Sequence, residues 1–163
     1  MSELDIEAFL NTHMRLVESI AGLSNEQLRW KATELSWSVT EVLAHLADHN
    51  IVVSFRIRGI LADSKEQLVT FEQDQWVAGQ HSNASEVSDI LDLFGALLQY
   101  NRLLFNRLSE QELAKSGINF KGDTVLIRDI IPAFTNHVHH HIAQIERIKT
   151  AYLDQVHIKK GSE

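Results

Sequence analysis

The sequence predicts an all-α protein, a bundle of four long helices, on three observations. Apolar residues recur at helical spacing over four separate stretches. One proline and seven glycines in 163 residues are too little punctuation for the many turns of a sandwich or barrel. The hydrophobic fraction, 44%, suffices for a full core without covalent staples. The length fits one domain over 1–163, with 153–163 expected as a flexible C-terminal tail.

The first helix is expected over about 3–21, where Ile6, Phe9, Leu10, Leu16, Val17 and Ile20 form one stripe. Gly22 and Ser24-Asn25 end it. Residues 23–37 read as a turn region carrying Leu28, Trp30 and Trp37. The second helix starts at Ser38, which with Glu41 has the capping-box spacing. Its stripe runs through Val42, Leu46, Val53, Ile57 and Ile60 to about Ala62. Residues 63–84 are polar and irregular, a long crossover with Phe71 and Trp76 as its large anchors. Ser85, Glu86 and Asp89 open the third helix, striped by Ile90, Leu91, Phe94, Leu97, Leu98, Leu104 and Leu108. Gly117 and Gly122 break the connection over 109–123. Asp123-Thr124 is a plausible cap for the fourth helix, which runs to about Tyr152. Pro132 inside it should kink it or remove a hydrogen bond.

Composition excludes several function classes. The net charge is −7 with histidine neutral, and no basic patch suits a phosphate backbone. Lys159-Lys160, the one basic cluster, reads as a solvated end. No apolar run reaches the roughly 18 residues that span a membrane. The start MSELDIEAFL lacks the basic and apolar regions of a signal peptide, so a cytoplasmic location is expected. There is no cysteine, which removes disulfides, thiolate zinc sites and a cysteine nucleophile. Nine histidines remain, with carboxylates, as the main metal ligands.

The chemistry concentrates in Asn136-His137-Val138-His139-His140-His141-Ile142-Ala143-Gln144-Ile145. On a wheel of about 100° per residue, Ile127, Ile130, Val138, Ile145, Ile148 and Tyr152 fall near Phe134. His141 and His137 fall at roughly −20° and −60° from that core face. His140 lies at its flank and His139 on the opposite side. On the second helix His45 and His49 stand at similar angles from Val42, beside Leu46 and Val53. Two i, i+4 histidine pairs thus face inward from two helices, and such pairs converge on a metal in bundle cores. The competing reading is packed, hydrogen-bonded core histidines, and His13, alone on the first helix, takes that reading. Burying four imidazoles without a metal would leave several nitrogens in need of partners.

Trp37-Ser38-Val39-Thr40-Glu41-Val42-Leu43-Ala44-His45-Leu46-Ala47-Asp48 resembles the W-S-x-x-E-x-x-x-H-L-x-D stretch of the DinB-like superfamily. His137-x-x-His140-His141-x-x-Gln144-Ile145 resembles its second signature, H-x-x-H-H-x-x-Q-I, and Asp74-Gln75-Trp76 resembles a recurrent crossover feature. The resemblance covers essentially the whole chain. It implies up-down-down-up connectivity and a three-histidine metal site at His45, His137 and His141. His140, Gln144 and Asp48 match motif positions that are not ligands. His49 departs from the pattern, as a fourth ligand, a base or a pocket residue. Gln144 either orients a ligand imidazole or packs between helices. Glu41 reads as a cap rather than a base, Trp37 and Trp76 as core anchors, and Asp48, off the core face, as solvated.

Three neutral imidazoles leave a coordination position open and the full double charge on the ion, which lowers the pKa of a bound water. They suit zinc, nickel, iron(II) or copper, with zinc, nickel or iron expected, so composition does not choose the metal. Three functions follow. One is metal-dependent hydrolysis of a small molecule, with His49 or Gln144 managing the proton or orienting water. Another is thiol transfer with a low-molecular-weight thiol of the bacillithiol or mycothiol type, which the resemblance implies. The third is a non-catalytic, stress-induced metal- or ligand-binding module. The resemblance also implies a homodimer.

Overall fold

Ser38 starts the helix on which half of the site is built. Its hydroxyl accepts from the Glu41 amide at 3.1 Å, and the Glu41 carboxylate accepts from the Ser38 amide at 2.9 Å. This is the reciprocal capping box that the spacing predicts. Lys31 adds an ion pair to Glu41 at 3.1 Å. The Ser38 hydroxyl also donates to Asn83 Oδ1 at 2.6 Å, tying the helix start to the end of the crossover.

A computed structural model describes residues 3–160. In chain order these form α1 (Glu3–Ile20), α2 (Asn25–Arg29), α3 (Val39–Leu61), α4 (Gln73–Gly79), a single 3₁₀ turn (Ser82–Ala84), α5 (Val87–Phe105), α6 (Glu110–Leu113), β1 (Ser116–Ile118), β2 (Thr124–Leu126) and α7 (Ile127–Lys160). None of these helices is long and apolar enough to cross a membrane.

Side-chain pairs give the direction of each long helix. Phe9 meets Phe134 and Lys149 donates to the Ser19 carbonyl, so α1 and α7 run parallel. The Ser38–Asn83 bond at the entry to α3 and the Arg58–Asn101 bond further along make α3 and α5 parallel. Phe9 meets Phe105 while His13 lies against Gly95, so α1 and α5 oppose each other. His45 and His49 meet residues 141 and 137 in descending order, so α3 and α7 are antiparallel. The result is the four-helix bundle with up-down-down-up connectivity. The core between the helices holds Phe9, Leu16, Leu43, Leu46, Ile57, Phe94, Leu98, Ile131, Phe134 and Ile145, all almost completely buried.

Several expectations change in detail. The all-α reading omits an antiparallel hairpin in which Ser116 pairs with Leu126 and Ile118 with Thr124. Asp123-Thr124 therefore belong to the hairpin rather than capping the last helix. That helix starts at Ile127, so Pro132 lies in its second turn and forfeits only the bond to the Arg128 carbonyl. Glu86, not Ser85, is the residue before α5, and it makes no side-chain cap. That helix ends at Phe105, before Leu108. The turn region over 23–37 contains a capped helix of five residues. Residues 153–160, expected as tail, continue α7; 161–163 lie outside the described residues.

The hairpin holds the crossover in place. The Leu68 amide donates to the Ile118 carbonyl at 2.8 Å, and Gln67 donates to the Asn119 carbonyl at 2.8 Å. A Cβ on Gly117 would stand 3.0 Å from both Ile60 and Leu68, so glycine permits this close approach. On α3, Arg56 Nε and Nη2 both donate to the Val69 carbonyl, at 3.1 and 2.7 Å. These ties bring Phe71 over the seam between α3 and α7.

Candidate metal centre

His45 on α3 and His137 and His141 on α7 come together at that seam. The i, i+4 spacing stacks the two α7 imidazoles one turn apart, and the antiparallel neighbour presents His45 to both. His137 Nε2 lies 3.4 Å from His45 Nε2 and 3.2 Å from His141 Nε2. One nitrogen of each residue lies within 4.8 Å of the other two. Two imidazole nitrogens on one tetrahedral ion, each at about 2.05 Å, stand about 3.3 Å apart. The two separations from His137 match that figure, and the His45 and His141 nitrogens lie within 4.8 Å of each other.

Burial and mutual proximity keep the cluster neutral. Burial foremost, then His141 and His137, lowers the pKa of His45 to about 3. Burial, then His141 and His140, lowers that of His137 to about 4. His141 is lowered mainly by burial, partly offset by its bond to Gln144. Neutral imidazole is the form that binds metal.

Proton bookkeeping favours an ion. His141 Nδ1 stands 2.7 Å from Gln144 Oε1, an acceptor, which assigns the His141 proton to Nδ1 and leaves Nε2 as a bare lone pair. The Nδ1 atoms of His45 and His137 are buried without a partner among the described residues. Protons within the cluster cannot satisfy all three Nε2 atoms at once: one on His137 Nε2 meets the His141 lone pair and leaves His45 Nε2 unmet, and one on His45 Nε2 meets His137 and leaves His141 unmet. A single divalent cation satisfies all three. The donor set of three neutral nitrogens suits zinc, nickel or iron(II).

His49 is brought near but not into the cluster. Its ring lies over that of His137, centroids 4.0 Å apart, and stacks on Phe134 at 5.6 Å. Its Nδ1 is buried without a partner among the described residues. Burial, then His137, His45 and Arg56, lowers its pKa to about 2. Gln144 is spent on His141, behind the cluster rather than in front of it. His140 is exposed and meets His141 edge-on. His139, on the other side of α7, is half-buried with Arg15 among the charges that lower its pKa after burial. His13, half-buried, packs against Gly95.

Asp48 differs from the solvated reading. It is buried and accepts a bond from Gln80 Nε2 at 2.8 Å, and burial raises its pKa. The aromatic surround is also richer than the motifs indicate. Trp37 lies 5.0 Å from His45 and stacks on His141, while Phe71 stacks on His45 with the planes 2° apart. Trp76 closes edge-on over Phe71 at 5.0 Å, and so reaches the site through Phe71.

Two hollows reach the cluster. A cavity of about 500 Å³ has His49 and His137 in its wall, with Val53, Arg56, Ile130 and Phe134. A more open cleft of about 600 Å³ borders His141 and Gln144, with Trp37, Asp74, His140 and Arg147.

Three histidines converging in the core of an up-down-down-up bundle define a class of helical protein built around a candidate metal centre. The chain belongs to the DinB superfamily, whose family model matches residues 8–145. It is 26% identical over 141 residues to a protein of Oceanobacillus iheyensis named as a candidate metal-dependent hydrolase, covering 86% of this chain and 79% of that one. A counterpart in Geobacillus thermodenitrificans with the same description is 28% identical over 139 residues, covering 80% and 74%. Among solved structures, YfiT from Bacillus subtilis superposes with a TM-score of 0.84 at 19% identity, over 92% of this chain and 89% of that one. A mycothiol-dependent maleylpyruvate isomerase superposes with a TM-score of 0.71 at 11% identity, over 88% of this chain; this chain spans 60% of its length.

Proposed function

We propose that the protein is a metal-dependent hydrolase acting on a small molecule, with one divalent ion held by the Nε2 atoms of His45, His137 and His141. The observation that carries this reading is the convergence of three neutral imidazoles, two buried and His137 partly so, with His137 Nε2 at 3.4 and 3.2 Å from the other two and all three within 4.8 Å. The relatives described as candidate metal-dependent hydrolases support it. An ion held by three neutral ligands supplies Lewis acidity and lowers the pKa of a water in its open position.

The chain's own residues do the rest. Gln144 fixes the tautomer and ring plane of His141. His49, neutral and with Nδ1 without a partner among the described residues, stands beside His137 at the wall of the cavity, where it orients the attacking water. Trp37 and Phe71 cover His45 and lower the local polarity, which strengthens the field around the centre.

A second reading, transfer of an external low-molecular-weight thiol, is supported by the fold shared with the mycothiol-dependent isomerase. We also propose a cytoplasmic location and, from the family resemblance, a homodimer; sedimentation at micromolar concentration checks the latter. The primary test is elemental analysis of tag-free protein beside His45→Ala. About one equivalent of zinc, nickel or iron, lost in the variant, is expected. Wild-type protein that takes up none of these ions refutes the centre.

A further inference from the structure

The cavity beside the cluster has one cationic group in a mainly apolar wall. Val53, Leu68, Phe120, Val125, Ile130 and Phe134 supply the apolar surface. Arg56 on α3 stands in the same wall, two turns beyond His49, and its charge acts on His49. Arg56 is half-buried, and burial lowers its pKa. Its guanidinium donates through Nε and Nη2 to the Val69 carbonyl, and no carboxylate pairs with it among the described residues. Asp129 also lines the cavity but makes no ion pair with Arg56; it is exposed.

A partly buried cation without a counter-charge is costly, and the cost is offset when an anion arrives. The bond to Val69 fixes the guanidinium plane, so the rest of the planar fork faces a carboxylate without further ordering. The volume, about 500 Å³, is that of a small-molecule site. We propose that this cavity is the substrate site, and that it takes a small carboxylic acid with an apolar body. The carboxylate pairs with Arg56, the body lies between Val53, Ile130 and Phe134, and the reacting group faces the His49–His137 end. The assignment as substrate rests on the metal-centre reading; the binding preference for an anion does not.

The probes are 3-phenylpropanoate and its uncharged analogue 3-phenylpropanamide, titrated calorimetrically into the full-length protein before and after chelation. The wild type binds the acid at least about tenfold more tightly than the amide, in both forms, because the discrimination comes from Arg56. Arg56→Met removes that preference while binding the amide as the wild type does, which shows the cavity intact. Arg56→Lys keeps the charge without the fork and retains part of the preference. Metal content stays at the wild-type level in both variants. Equal binding of acid and amide by the wild type, no binding of either, or a preference that survives Arg56→Met overturns the proposal. Should Arg56→Met lose both probes, Arg56→Lys decides: a preference kept there sustains the proposal, and one absent refutes it. A preference seen only before chelation assigns the carboxylate to the ion and also overturns it. A preference present in protein that takes up no metal keeps the anion site and refutes the metal centre alone.

Discussion

Gln144 Oε1 accepts from His141 Nδ1 at 2.7 Å, and the His141 Nε2 lone pair therefore faces His137 Nε2. A side chain with no atom in the cluster thus determines which His141 nitrogen is available to it. Gln144→Ala is expected to keep the fold and weaken metal binding by about 10–100-fold, the usual effect of removing a group that orients a ligand imidazole. Competition with a calibrated chelator reads this directly, and unchanged affinity would show that the bond is incidental.

His137→Ala and His141→Ala are each expected to abolish stoichiometric metal binding, and His139→Ala to leave it intact. The first two remove nitrogens of the cluster, whereas His139 projects from another side of α7. Metal content after gel filtration distinguishes them. Retention at wild-type stoichiometry by His137→Ala would rule out the ligand set.

The metal-free protein is expected to lose stability as pH falls below about 6.5. Folding lowers the pKa of His45 to about 3 and of His137 to about 4, from an ordinary value of 6.5. As pH drops, the unfolded chain takes up these protons first. The contribution is complete above the unfolded value and is lost progressively towards the folded values. Urea denaturation of chelated protein at about pH 7.5 and about pH 5 tests this, above most carboxylate titration. Equal stability at the two pH values would contradict the buried, neutral cluster.

Ser38→Ala is expected to destabilise the fold by about 1–2 kcal/mol. It removes the cap of α3 and leaves Asn83 Oδ1 without its donor at a partly buried junction. A shift in the urea midpoint with an unchanged slope is the expected signature.

The parts of this protein legible in its sequence are those that repeat along a helix. His45 and Ser38 with Glu41 stand on one α3 face, and His137 and His141 are four residues apart, so helical period alone brings them to the core. The hairpin was not legible because strands of three residues show no period. Asp48 was misread as solvated because its burial depends on Gln80, which the crossover carries back to it from 32 positions away. Phe71 was visible as an anchor, but nothing in its neighbourhood shows that it stacks on His45. Arg56 gave no signal at all, since its role depends on the hairpin closing a cavity around it.

His45 and His137 are 92 residues apart along the chain. A ribosome adding roughly 5–20 residues per second delivers the second histidine about 5–18 s after the first. Throughout that interval the nascent chain offers His45 and His49 on α3 without the α7 histidines. The cluster exists only where α7 packs on α3. On the proposed metal centre, loading would therefore await the synthesis and docking of α7.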